Sequence, residues 1–232
     1  METVVHRRGD GEVLFGGRIV IKAASDVLCV TESHYDGARP GADPHVHRRH
    51  ADSFYVLEGE LAFLVDDAEV MLGAGACVCA PPGVVHGFRS VSTARFLNFH
   101  TPDGGFADSL RARDRGEPGE FDSYDAEPGS GLPASNAILV NPGERVQLRR
   151  EELTLSEIRL QSGSEAPGTG ADERHVDAFY VLDGEAQLVL DGEDLRLRAG
   201  SFVAAPARLV HRLAGGPGGT RLLNVRVPLQ PR

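Results

Sequence analysis

The chain of 232 residues has no tryptophan, a single lysine (Lys22), two methionines and only 6% aromatic residues. Its three cysteines are an odd number, which fits reduced thiols and a cytoplasmic setting better than a disulfide framework. No apolar run approaches the ~18 residues of a membrane helix, so no membrane span is expected. Met1 to Phe15 lacks the apolar stretch and the small-residue cleavage site of an export signal. Basic residues are also scarce: 24 against 34 acidic ones leave a formal charge of -10. Nucleic-acid binding draws on clustered Lys and Arg to neutralise phosphates, so the balance argues against that class of partner. Phosphate-cradling loops, the G-x-S-x-G elbow and C-x-x-C pairs do not occur.

What is present is enough for a core: 41% apolar and 25% charged residues, with 28 Gly and 14 Pro to punctuate turns. The chain also repeats itself. HADSFYVLEGE (His50 to Glu60) returns as HVDAFYVLDGE (His175 to Glu185), with eight of eleven positions identical. The same offset carries Asp66 onto Asp191, Gly75 onto Gly200, Pro81 onto Pro206 and His86 onto His211. This predicts two copies of one unit, 1–100 and 136–232, joined by a linker, 101–135.

Each copy reads as short strands. Phe54 to Leu57, Leu61 to Val65, Glu69 to Leu72 and Cys77 to Ala80 are rich in Val, Leu and Phe and are separated by Gly, Asp and Pro. The matching runs are Phe179 to Leu182, Ala186 to Leu190, Asp194 to Arg198 and Phe202 to Ala205. The Gly-centred triplets at 58–60 and 183–185 read as hairpin turns. Regular short strands of this kind make a sandwich, a jelly roll or a barrel. The linker is expected to hold one short helix at Phe106 to Arg113, with Phe106 and Leu110 on one face, and otherwise to be a plain connector.

Metal-ligating residue types cluster in the first copy. His45 and His47 are one residue apart in an extended segment, and side chains at i and i+2 of a strand share a face. Asp52 follows, and His86 stands beyond the turn sequence APPGVV. A lone H-x-H pair is commonly no more than two surface histidines. Three imidazoles and a carboxylate are a suitable donor set for a divalent transition metal. In the second copy Gly170 and Asp172 replace the histidine pair, while His175, Asp177 and His211 remain. A structural barrel without a strong metal site is expected there. Cys77 and Cys79 occupy a strand whose counterpart carries Phe202 and Ala204, so core packing is expected of them.

With His45, His47, Asp52 and Gly59 at one set of spacings and Gly75, Pro81, Gly83 and His86 at another, the chain resembles the cupin superfamily. Within it, the chain is similar to two-barrel proteins of the quercetin 2,3-dioxygenase type. The resemblance implies an all-β fold: two cupin barrels (double-stranded β-helices, or jelly rolls) in one chain, with a short helix in the linker. It implies one divalent transition metal (Fe, Mn, Ni, Cu or Zn) in the first barrel, held by His45, His47 and His86. Asp52 stands where the family carries a metal-binding Glu. Being one methylene shorter, it either ligates after a shift of its strand or stands behind the ligands as a catalytic base. His50 is a further possible ligand. Phe54, Val56, Phe63 and Phe88 are candidates to line a substrate pocket. The activity implied is dioxygenation of a small phenolic or enolic molecule with O2. Alternatives are a zinc-dependent cyclase or isomerase, and a small-molecule binding protein without catalysis. A monomer or homodimer is expected.

Overall fold

The computed structural model describes residues 1–140, 147–166, 173–209 and 211–229. In chain order its first strands are Val4–His6 (β1), Glu12–Leu14 (β2), Ile19–Ser25 (β3), Leu28–Tyr35 (β4), Arg39–Val46 (β5), Ala51–Glu58 (β6), Glu60–Val65 (β7), Ala68–Gly73 (β8), Cys77–Ala80 (β9), His86–Ser90 (β10) and Ala94–Thr101 (β11). The helix Phe106–Asp114 (α1) follows, then Tyr124–Asp125 (β12) and Ile138–Val140 (β13). The remaining strands are Gln147–Arg149 (β14), Thr154–Leu160 (β15), His175–Leu190 (β16), Glu193–Arg198 (β17), Phe202–Ala205 (β18) and His211–Pro228 (β19). No helix among the described residues is long and apolar enough to cross a membrane.

The chain divides into two compact units: Glu12–Val146, and Met1–Gly11 together with Gln147–Arg232. These bounds differ from a division at 100 and 136. The first residues leave their own repeat because β1 pairs with β18, Val4 opposite Ala204. The linker joins the first unit because β12 pairs with β5 and β13 with β9.

The first unit is built of two antiparallel sheets. One has the order β13-β9-β6-β11-β4-β3-β2 and the other β12-β5-β10-β7-β8. Alternation along the strands decides what lies between them. From β6 come Phe54 and Val56, from β7 Leu61, Phe63 and Val65, from β9 Val78 and Ala80, and from β11 Phe96; all pack in one buried cluster. Cys77 and Cys79 alternate out of that cluster. They are buried and form no disulfide, and burial pushes the Cys77 thiol far up, so they pack as small apolar residues.

The triplet Glu58 to Glu60 is not a hairpin turn. β6 pairs with β9 and β11 in one sheet, and β7 pairs with β8 and β10 in the other. Gly59, at φ 74°, is therefore the corner where the chain changes sheets. A side chain there would also run into the Thr93 carbonyl. In the second unit Gly184, at φ 78°, turns the same corner within the single long strand β16. β16 and β19 pair along both of their halves, with register shifts at Val181/Asp183 and Gly184/Ala186. Asp66 and Asp191, related by the repeat, both take left-handed turn conformations (φ 58° and 50°).

Candidate metal centre

His45 lies on β5 and His86 begins β10; the two strands pair with these residues directly opposite each other. His47 follows one residue beyond the end of β5, and Asp52 lies on β6 in the facing sheet. Their imidazole centroids are 4.4 Å (His45–His86), 4.8 Å (His45–His47) and 4.9 Å (His47–His86) apart. His45, His47, Asp52 and His86 each present a ligand atom within 4.8 Å of all the others. His47, His86 and Asp52 are almost wholly buried.

Each histidine is oriented from behind. His45 Nδ1 donates to the Asp43 carbonyl (2.7 Å), His47 Nδ1 to that of Asp122 (2.6 Å) and His86 Nδ1 to that of Val84 (3.0 Å). A proton held at Nδ1 leaves the lone pair on Nε2, the arrangement of a metal-ligating imidazole. His47 Nε2 is buried with no hydrogen-bond partner among the described residues. Burial, reinforced by the neighbouring His86, pushes His45 down to about 4, so the ring is neutral at ordinary pH. The four donor atoms, all within 4.8 Å of one another, could hold a metal. Ligands about 2.1 Å from an ion stand about 3.0–3.5 Å apart at tetrahedral or octahedral angles. Asp52 Oδ2 is 3.3 Å from His86 Nε2 and 3.7 Å from His47 Nε2. The shorter Asp side chain thus reaches the imidazoles.

Asp52 is itself held. Its Oδ1 accepts a hydrogen bond from Asn98 Nδ2, on the adjacent β11. Burial works to raise the Asp52 carboxyl, but His100, His47 and His86 outweigh it and hold the group well below the usual carboxylate range. Behind Asn98 a buried run of hydrogen bonds continues. Asn98 Oδ1 meets His100 Nε2 (2.9 Å), His100 Nδ1 meets His50 Nε2 (3.0 Å), and His50 Nδ1 meets Asp122 Oδ2 (3.0 Å). Both ring nitrogens of His50 therefore have partners, and it stands in a second group with His47 and His100 rather than with Asp52.

Asn98, His100 and Asp122 carry no motif of their own. Asp122 lies in the linker, 75 residues from the His47 it orients. The linker is thus no plain connector: Phe106 of α1 stacks on His100 (centroids 3.8 Å, 17° between planes), and Phe121 packs on Phe106 (5.2 Å). A cavity of about 470 Å3 opens beside the histidines, lined in part by His45, Asp52, Phe54, Phe88 and Phe96. Val56 and Phe63 do not reach it. They are completely buried in the core, because their positions along β6 and β7 place them deeper in the same inward-facing row.

In the second unit Gly170 and Asp172 lie outside the described residues. His211 Nε2 is 3.8 Å from Asp177 Oδ2, and Arg226 Nε bonds Asp177 Oδ1 at 3.0 Å. A guanidinium supplies the positive charge beside this carboxylate.

The sequence pattern of the cupin domain matches residues 33–100 and 156–225, and the chain belongs to the cupin family, with a domain in each half. Quercetin 2,3-dioxygenase from Bacillus subtilis is 23% identical over 278 aligned positions, which span 96% of this chain and 81% of that protein. Among solved structures, a variant of salicylate 1,2-dioxygenase from Pseudoaminobacter salicylatoxidans aligns with a TM-score of 0.63 at 16% identity, over 88% of this chain and 72% of the other. Protein Ylba from E. coli aligns with a TM-score of 0.64 at 12% identity, over 92% and 84%. These structural likenesses speak for the fold, a two-barrel cupin.

Proposed function

We propose that the chain is a metal-dependent dioxygenase that uses O2 to oxidise a small phenolic or enolic molecule in the cytoplasm. The observation that carries this reading is the orientation of three imidazoles. Each gives Nδ1 to a backbone carbonyl and leaves Nε2 for a common point that Asp52 Oδ2 also faces. The similarity to quercetin 2,3-dioxygenase supports the reaction class. Three buried free thiols are in keeping with a reducing compartment.

In this reading His45, His47 and His86 hold a divalent transition metal through Nε2, and Asp52 completes the set through Oδ2. When bound, such a metal supplies Lewis acidity toward a substrate oxygen and, if redox-active, a route for electrons to O2. The protein's own part is positioning. Asn98 fixes Oδ1 and so points Oδ2 at the point the imidazoles share. Phe54, Phe88 and Phe96 exclude water from one wall of the cavity and offer faces for a planar ring. The second barrel, with Arg226 against Asp177, serves as a structural partner.

The test is an oxygen electrode. Protein loaded in turn with Fe, Mn, Ni, Cu and Zn should consume O2 with a flavonol or another enolisable phenol for at least one redox-active ion. Turnover without O2 uptake, with zinc as active as the rest, would replace the dioxygenase with a cyclase or isomerase. Binding without turnover for every ion would leave a binding protein.

A further inference from the structure

The residues that line the cavity differ in charge from one part of its wall to another. One part holds the imidazoles and the acids. Asp52 is there, Asp43 is two residues from His45, and Asp125 lies opposite His45 in the β5–β12 register. The other part is marked by Tyr35. Along β11 the residue opposite Tyr35 is Ala94, whereas Asn98, which holds Asp52, lies four positions away. At about 3.3 Å per residue that is roughly 13 Å.

Two arginines reach this second part. Arg18 is brought alongside by the bond from the His34 N–H to its carbonyl (2.8 Å), one residue before Tyr35. Arg113 comes from α1. Phe106, Leu110 and Arg113 stand at i, i+4 and i+7, so one face of the helix lies along the cavity, from Phe106 on His100 to Arg113 about 10 Å further on. Arg18 and Arg113 line the cavity together with Tyr35, and their charges, with that of Arg39, oppose the rise that burial gives the Tyr35 hydroxyl. Arg39 lies over the Tyr35 ring at 5.5 Å.

Neither Arg18 nor Arg113 has an acidic partner among the described residues, although the chain carries ten more acidic than basic groups. Arg18 rests on the Phe15 ring (5.1 Å), and its Nε is buried with no hydrogen-bond partner. A buried, unsatisfied guanidinium N–H is costly, and a carboxylate is its natural complement. Between the two parts the wall is aromatic: Tyr35, Phe88 and Phe96 are in mutual contact at 5.4–6.1 Å.

We propose that the substrate is an elongated aromatic or enolic acid. Its phenol or enol oxygen lies toward His45 and Asp52, its ring lies on the phenylalanines, and its carboxylate pairs with Arg18 and Arg113. This rests on the reading of the cavity as the substrate site and narrows it from small phenolic molecules to anionic ones.

The probe is 6-hydroxy-2-naphthoate, a rigid molecule with phenol and carboxylate at opposite ends, compared with its neutral amide, 6-hydroxy-2-naphthamide. The chain has no tryptophan, so naphthol fluorescence reports binding without interference. Both are titrated at neutral pH into chelator-treated and metal-loaded protein. The acid should bind at least about tenfold tighter than the amide, as expected of charge-assisted pairing. Arg18→Gln and Arg113→Gln should each erase most of that preference, and Arg18→Lys should keep part of it. Unfolding curves of the variants check that they fold. Equal affinity for acid and amide, a preference unchanged in both Gln variants, or no binding of either at millimolar concentration would overturn the proposal. Acid preference without O2 uptake for any metal would refute the dioxygenase alone. O2 uptake with a neutral flavonol but no acid preference would refute this proposal alone.

Discussion

Asn98, which lies downstream of where the family motif carries its Asn, shows how much a single residue can carry. Its amide nitrogen binds Asp52 Oδ1 and also the Ser53 carbonyl (3.2 Å), while its oxygen receives His100. Reversing the amide would set its oxygen against a carboxylate and a carbonyl, so its orientation is determined. Groups that orient ligands from behind are commonly worth 10–100-fold in metal affinity or activity. Asn98→Ala should therefore weaken metal binding by about 10–100-fold with the fold intact, as read by competition with a chromophoric chelator. Unchanged affinity together with unchanged activity would remove Asn98 from the positioning machinery. The four residues that converge, His45, His47, Asp52 and His86, were legible because strand alternation and turn spacing act over short stretches of chain. Asn98, His100, Asp122 and Arg18 were not. Each reaches the site by tertiary folding, and Asp122 orients His47 through its backbone carbonyl, which any residue type has.

At the scale of elements, the pairing of β3 with β4 buries the chain's only lysine. Lys22 is 1% exposed and lies 3.2 Å from Glu32, which also meets His34 at 3.4 Å and Arg95 at 3.7 Å. Burial alone would raise the Glu32 carboxyl, but the hydrogen bond with His34 and the charge of Lys22 prevail and hold it below its usual value of 4.5. A carboxyl that is more acidic folded than unfolded stabilises the fold above the unfolded value. That contribution disappears as pH falls through the folded value. Glu32→Gln should thus cost about 3–5 kcal/mol at neutral pH, because it removes the carboxylate that faces a buried ammonium. The gap to the unmodified protein should narrow in acid. Urea unfolding at neutral pH and near pH 4 measures both, and a gap that widens in acid would contradict the assignment. The strands themselves were legible from β-branched and aromatic runs. The Gly59 corner was not, because a glycine with positive φ serves a hairpin and a change of sheet equally well, and only strand pairing tells them apart. The helix at 106–113 was visible as Phe106 and Leu110 on one face; that Arg113 extends this face into a cavity was not.

For the whole molecule, the repeat set the two-barrel architecture. Strand exchange carries β1 to the second unit and β12 and β13 to the first, an outcome of pairing between distant segments. The two barrels differ in the charges set around the repeated aspartate. The first keeps imidazoles around a buried carboxylate, and the second sets Arg226 against the equivalent Asp177. One metal per chain, in the first barrel, is therefore expected. Metal analysis by mass spectrometry, on protein purified without chelators and on His47→Ala, tests this most directly. The unmodified protein should carry close to one divalent transition metal per chain and His47→Ala only background levels, with both proteins folded. A folded His47→Ala that keeps its full metal content, or an unmodified protein that takes up none, would contradict it.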